Sequence, residues 1–220
     1  MLKYSIIILL VPFTNILAQS AFIDRKQNAL SLELGKSWAS EFSPYLVHTG
    51  FSLNGFIDLG IGYSSGTILK TNNFIYDLSS KSIGFDITLI FIKPIVKVQP
   101  FGLALNLNYN DFKYERLKVN YLPDRKEFNA NVSTPALIFY SLSEIDNNRI
   151  VIAFALGYSV TSGEVDGRYL RSNFVSLGLS ADIVHEFTPG LLGTWGLGVG
   201  YAEESLSAGV SIGLIFKTKY

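Results

Sequence analysis

The sequence predicts an all-β fold: a closed, antiparallel, up-and-down transmembrane barrel of about ten strands, with eight as the alternative. Three observations predict it. After Gln27 the apolar signal repeats every second residue rather than with the roughly 3.6-residue period of a helix. The alternating segments follow one another in hairpin order, with no helical pattern between them. The 220-residue chain is 48% apolar and only 16% charged. Yet it lacks the run of about 18 apolar residues that a spanning helix requires.

The N-terminus comes first. Met1 to Ala18 reads MLKYSIIILLVPFTNILA. Lys3 gives a positive start, Ile6 to Val11 a short apolar stretch, and Ala18 a small residue ahead of the cut. These are the parts of a secretory signal peptide. The mature domain is then expected to be residues 19–220. Gln19, not Cys, follows the cut, so a lipid-anchored cysteine is not available there.

The strands follow in order. Leu30, Leu32, Leu34 and Trp38 share one face of the first segment, with Ser31, Glu33, Gly35 and Ser37 opposite and Lys36 interrupting the apolar side. Tyr45, Val47, Thr49 and Phe51 mark the second. Asn54-Gly55 then predicts a tight hairpin, since both residues tolerate positive φ. The third carries Ile57, Leu59, Ile61 and Tyr63, and the fourth Ile83, Phe85, Ile87, Leu89 and Phe91. The fifth carries Leu103, Leu105, Leu107 and Tyr109.

The sixth is mixed. Val132, Thr134, Ala136, Ile138, Tyr140 and Leu142 alternate with Ser133, Pro135, Leu137, Phe139 and Ser141, so both faces are partly apolar. Pro135 removes a ladder donor, which predicts a bulge there or a later start. After the Asp146-Asn147-Asn148 turn come Ile150, Ile152, Phe154, Leu156 and Tyr158 of the seventh. The eighth has Val175, Leu177, Leu179, Ala181 and Ile183; Thr188-Pro189-Gly190 turns the chain. Trp195, Leu197, Val199 and Tyr201 form the ninth, and Leu206 through Phe216 the tenth.

Four features put the apolar face outward, toward lipid. One is the export signal. The second is the opposite face, built mostly of Gly, Ser, Ala, Asn and isolated Asp, which suits a confined interior. The third is a set of aromatics near segment ends: Trp38, Tyr45, Tyr63, Phe91, Tyr109, Tyr140, Tyr158, Trp195 and Tyr201. Such residues form girdles at the two water interfaces. The fourth is charge gathered into connections, as in Lys113 to Glu127 and Glu164 to Arg171. Open sheet edges are not tolerated in hydrocarbon, so the strands must close on themselves. Residues 65–79, 110–131 and 159–172 read as longer external loops. The turns near residues 54–55, 93–99, 144–149 and 186–193 read as the short ones on the side of the termini.

The chain ends Val210-x-Ile212-x-Leu214-x-Phe216-x-Thr218-x-Tyr220. This alternation with a terminal aromatic resembles the last strand of outer-membrane β-barrel proteins of Gram-negative bacteria. The hairpin from Ser52 to Tyr63, with Gln19 after the cut, resembles small barrels of the Bacteroidota type. The resemblance implies an integral location in the cell outer membrane and contact with its lipids. It also implies recognition by the barrel assembly machinery, with Phe216 and Tyr220 as the assembly signal. It transfers no active-site residue.

Few residues invite chemistry. Cys is absent and no His-x-His, His-x₃-His or Asp-x-Asp cluster occurs, so no metal or cofactor is expected. Formal charge is zero, so nucleic acid is not expected as a partner. Gly-x-Ser-x-Gly occurs around Ser64 and Ser211. A nucleophile elbow needs a strand, a sharp turn and a helix, and no helix follows either match. His48 falls on the inner face and His185 near the side of the termini. The inward ionisable residues Glu33, Asp58, Asp86 and Asp182, with Lys217 near the rim, are the lumen-lining candidates. The leading expectation is a monomer, not an enzyme, with a structural role or a surface role toward an extracellular ligand through its loops. A narrow pore for ions or small solutes is the alternative, and a membrane-embedded hydrolase the second.

Overall fold

The computed structural model describes residues 21, 23, 26–39, 43–71, 74–117, 127–165, 168–202 and 205–218. The signal segment 1–18, Gln19, the charged residues Lys118, Asp124, Arg125, Lys126 and Asp166, and Tyr220 lie outside the described residues.

Ten strands follow in sequence: β1 (Asn28–Ala39), β2 (Tyr45–Leu53), β3 (Ile57–Thr71), β4 (Phe74–Ile92) and β5 (Phe101–Leu117), then β6 (Glu127–Ile145), β7 (Asn148–Val165), β8 (Arg168–Thr188), β9 (Leu191–Ala202) and β10 (Ser205–Thr218). Each pairs antiparallel with its neighbours, and β1 pairs with β10 to close the barrel. Asn28 faces Thr218 across that seam, so the first strand begins and the last one ends at the same rim, here called the terminal rim. Closure leaves no unpaired edge among these strands.

The turns at the terminal rim are short for local reasons. Asn54 and Gly55 take φ of 53° and 66° between β2 and β3, the left-handed pair that the Asn-Gly sequence favours. Asn28 Oδ1 holds this turn by accepting from Asn54 N at 2.7 Å. Only Asp146 and Asn147 separate β6 from β7, and Asp146 adopts φ of 53°. Asp and Asn tolerate that region better than most residues.

The apolar face points outward. Leu32, Ile61, Phe85, Leu107, Phe154, Leu179, Val199 and Ile212 stand 43–56% exposed, and the residues that alternate with them inward are mostly small. A soluble barrel would bury this face. Aromatics bound the band: Trp38, Tyr63, Tyr109, Tyr158 and Tyr201 toward the far rim, Phe101, Phe187, Trp195 and Phe216 toward the terminal rim.

Three expectations are corrected. Tyr140 is not a girdle residue: it is 4% exposed inside the lumen, where its hydroxyl donates to the Ile92 carbonyl at 3.2 Å. Its ring lies against Gly102, where a Cβ would collide with it. Pro135 does not bulge or delay β6. Ser133 faces Val160 and Ala136 faces Gly157, so the register is the same on both sides of an interrupted rung. The three external loops are mostly strand: β3 runs to Thr71, β5 to Leu117, β6 starts at Glu127, and β7 and β8 extend to Val165 and from Arg168. The wall is therefore uneven. Strands β3 to β8 have 15–21 residues, whereas β9, β10, β1 and β2 have 9–14.

Candidate functional site

The lumen is layered. At the terminal rim, inward side chains pack into one apolar cluster that includes Ile90, Ile138, Tyr140, Val151, Val184, Leu192 and Ile215. Ala21 and Ile23 of the N-terminal segment insert into it at 3% and 1% exposure. Toward the far rim, on the tall side, Phe112 and Tyr114 are buried and stack with ring centres 6.0 Å apart, beside Val132 and Phe174. Polar groups occupy the layer between.

That middle layer is a set of cross-strand hydrogen bonds. His48 Nε2 and Asp86 Oδ1 lie 2.9 Å apart, with the two side chains 12% and 18% exposed. They belong to β2 and β4, and bridge over β3 because Gly60 stands between them. A Cβ at Gly60 would collide with both partners. Asn108 and Asn110 are linked to each other by a side-chain hydrogen bond. Asn106 donates to Thr88 Oγ1 at 2.8 Å, Thr134 and Ser159 hydroxyls lie 2.8 Å apart, and Ser64 and Ser82 hydroxyls 2.7 Å. Small residues thus do two things at once: they narrow the wall and let neighbouring polar side chains reach across it.

All five lumen candidates point inward, but they do not form one site. Glu33 sits opposite His48 in the ladder, and Glu33 and Asp58 both lie within electrostatic range of the His48 ring. Asp58 is 3% exposed. Asp182 stands apart, on β8, against Gly196 of β9 and within range of Glu33. Lys217 is at the terminal rim, where its Nζ donates to Glu186 Oε1 at 2.9 Å. It seals that end rather than lining a path. Glu144 and Arg149 pair at 3.0 Å on the same rim.

A cleft opens on the low side of the wall. It is lined by Gly35, Ser37, Ser180, Asp182, Gly198 and Gly209 and is small, about 60 Å³.

The serines of the two Gly-x-Ser-x-Gly matches lie within strands. Ser64 lies within β3 rather than on an elbow, and its hydroxyl is engaged with Ser82. Ser211 lies in mid-strand beside Gly196. His185 is on the outward face, edge-on to Phe187 with ring centres 5.1 Å apart, far from the polar layer. Among the described residues no group of three His, Asp or Glu side chains is arranged to hold a metal ion.

Sequence reasoning missed the two apolar layers. Their signal was the sixth segment, apolar on both faces because Leu137 and Phe139 are exposed at 41% and 50% while Ile138 and Tyr140 fill the lumen.

No protein-family model matches the chain. No curated protein matches it. Among solved structures, the translocator domain of the autotransporter NalP from Neisseria meningitidis is similar, with a TM-score of 0.59 at 8% identity, covering 86% of this chain and 88% of that one. The beta domain of the Bordetella autotransporter BrkA has a TM-score of 0.48 at 12% identity, covering 89% and 100%. The attachment invasion locus protein Ail of Yersinia pestis has 0.42 at 9%, covering 88% and 99%. At these identities the likeness to NalP is one of fold: a closed antiparallel barrel.

Proposed function

We propose that this chain is an integral outer-membrane barrel of a Gram-negative bacterium that does not conduct and acts through its external wall. The observation that carries this reading is the inversion of the usual arrangement. The apolar residues form an outward band, and the interior is polar in its middle and packed shut at the terminal rim. The first half calls for lipid. The second argues against a pore: Ile138, Val151, Val184 and Leu192 are each 1% exposed or less where a path would have to leave.

The surface role follows from the uneven height. Strands β4 to β8 continue past the aromatic girdle as a paired sheet, so they present a firm wall and not slack loops. An extracellular ligand of that wall is the expected partner. The barrel is proposed to be a monomer, since every strand already has both neighbours. Export through residues 1–18 and assembly through Phe216 and Tyr220 complete the reading; Phe216 is outward and 46% exposed near the end of β10. The Bacteroidota-type affinity rests on the Ser52–Tyr63 hairpin and Gln19.

Two experiments test it. Protein refolded in lipid and run unheated should migrate apart from a boiled sample, and cells should hold it in the outer-membrane fraction. Recovery in the soluble periplasm would defeat the membrane assignment. In a planar bilayer the refolded protein should give no stepwise conductance. Steps that disappear on neutralising Asp58 and Asp86 would establish the pore instead.

A further inference from the structure

Every strand of the barrel has two neighbours, but not along its whole length. Pairing of β8 with β9 stops at Ser176 and Ala202, and pairing of β3 with β2 stops at Ser65 and Tyr45. Beyond those rungs β3 to β8 continue as a sheet, above the four short strands β9, β10, β1 and β2. The far rim therefore has a notch four strands wide, flanked by the upper parts of β8 and β3. The two flanks differ. The ladder of β8 with β7 keeps one register from Gly157 and Ser176 up to Val165 and Arg168, whereas that of β3 with β4 shifts between Leu69 and Thr71.

Two hydrogen bonds fix which way the β8 backbone points. Glu186 N donates to Asn147 O at 3.3 Å, in the register of the β7–β8 ladder. Hydrogen-bonded pairs alternate along an antiparallel ladder, so the even residues of β8 bond to β7. On the other side, Lys217 N donates to Gly190 O at 2.8 Å, in the register of β10 with β9. The even residues of β9 therefore bond to β10, and its odd ones, such as Val199 and Tyr201, bond to Leu179 and Leu177 of β8. Both routes agree: the odd residues of β8 bond to β9. Where β9 has ended, Tyr169, Arg171 and Asn173 turn their N–H and C=O groups into the notch, with no backbone partner among the described residues.

An edge of this kind is a template for another strand. Residues 168–175 hold no proline, and no bulge turns the edge away. The surroundings set the pattern of the occupant. Tyr169, Arg171, Asn173 and Val175 are exposed on the outer face, and Phe174 and Ser176 are buried on the inner one. A strand laid alongside has one face in water and the other beside the Phe174 ring. A second copy fits poorly. Copies in one membrane share an orientation, so β8 would meet β8 in parallel, and the antiparallel choice, β3, is irregular at its end. We propose that the β8 edge above Ser176 binds an extended segment of a separate extracellular protein by antiparallel strand addition. That segment is about six residues long, with polar and apolar side chains in alternation. The proposal rests on the reading of this chain as a surface-acting outer-membrane barrel, and it names the partner of the external wall. An added strand takes about 4.8 Å, less than the notch provides.

The full chain is refolded in phosphatidylcholine vesicles and offered a set of fluorescent heptapeptides in which polar and apolar residues alternate. Anisotropy should rise and saturate for the best members of the set. For the tightest one, N-methylation of the backbone amides that would meet β8 should abolish binding. Asn173→Pro removes one N–H from the notch and none from the β7 ladder, so the variant should keep the heat-dependent gel shift and bind the peptide about fivefold more weakly. Amide exchange at Tyr169, Arg171 and Asn173, fast in the free barrel, should slow in the complex, with Ser172 and Phe174 slow throughout. A chain that shows the gel shift yet binds no heptapeptide overturns this proposal and leaves the membrane reading standing. Binding that survives both N-methylation and Asn173→Pro overturns it too, as does a dimer joined through β8. A chain without the gel shift has formed no barrel in lipid, and the membrane reading and this proposal fall together.

Discussion

Single residues in this barrel are chosen by what lies beside them on the wall. Gly60 and Gly62 sit two positions apart on the same inward face of β3 and look equivalent in the sequence. They are not. Gly60 is the space through which His48 and Asp86 meet, whereas a Cβ at Gly62 would find its nearest atom, His48 Cδ2, at an ordinary 3.5 Å. Gly60→Ala should lower stability by about 1–3 kcal/mol, as overpacking does. Gly62→Ala should stay within about 1 kcal/mol of the parent, helped by reduced freedom of the unfolded chain. Urea midpoints of the two variants refolded in vesicles decide this; equal midpoints would mean that the bridge over Gly60 contributes nothing. The inward residues Glu33, Asp58, Asp86, Asp182 and Lys217 were legible from alternation alone. Their partners were not, since a contact across two strands, such as His48 with Asp86, depends on register.

At the scale of strands, the outward alternation exists only where lipid demands it. Beyond the girdle the outer face meets water and turns polar, while the inner face still packs Phe112, Tyr114 and Phe174 and the backbone ladder continues. That is why residues 65–79, 110–131 and 159–172 read as loops and fold largely as strand. Lys81 pairs with Lys113, and Asn129 with Glu164, in unbroken register there. Hydrogen bonding leaves no trace in composition. The central portions of all ten segments were legible for the opposite reason, lipid on one side and crowding on the other. β6 tested the limit, with Ile138 and Tyr140 inward and Leu137 and Phe139 outward. Its Pro135 leaves a rung toward β7 unmade. Pro135→Val should restore a donor and raise stability by about 0.5–1.5 kcal/mol, read as a higher urea midpoint. An unchanged or lower midpoint would show that the gap is not a missing donor. Ile138→Ala, which hollows the apolar layer, should cost about 2–5 kcal/mol.

For the whole molecule, the claim is that solvent and core have exchanged sides. Leu179 is 50% exposed at mid-strand on β8. Leu179→Arg should cost about 2–4 kcal/mol in a bilayer, against almost nothing on a wet surface. Folding measured in vesicles distinguishes the two. The most direct test uses the absence of cysteine, which lets single cysteines be placed at residues 176 to 183 of β8 and spin-labelled in vesicles without background. The account predicts strict alternation: labels at Leu177, Leu179, Ala181 and Ile183 accessible to oxygen dissolved in the bilayer, and labels at Ser176, Gly178, Ser180 and Asp182 shielded from it. Labels at Leu177 and Leu179 that respond instead to a water-soluble nickel reagent, or an accessibility with no two-residue period, would contradict it.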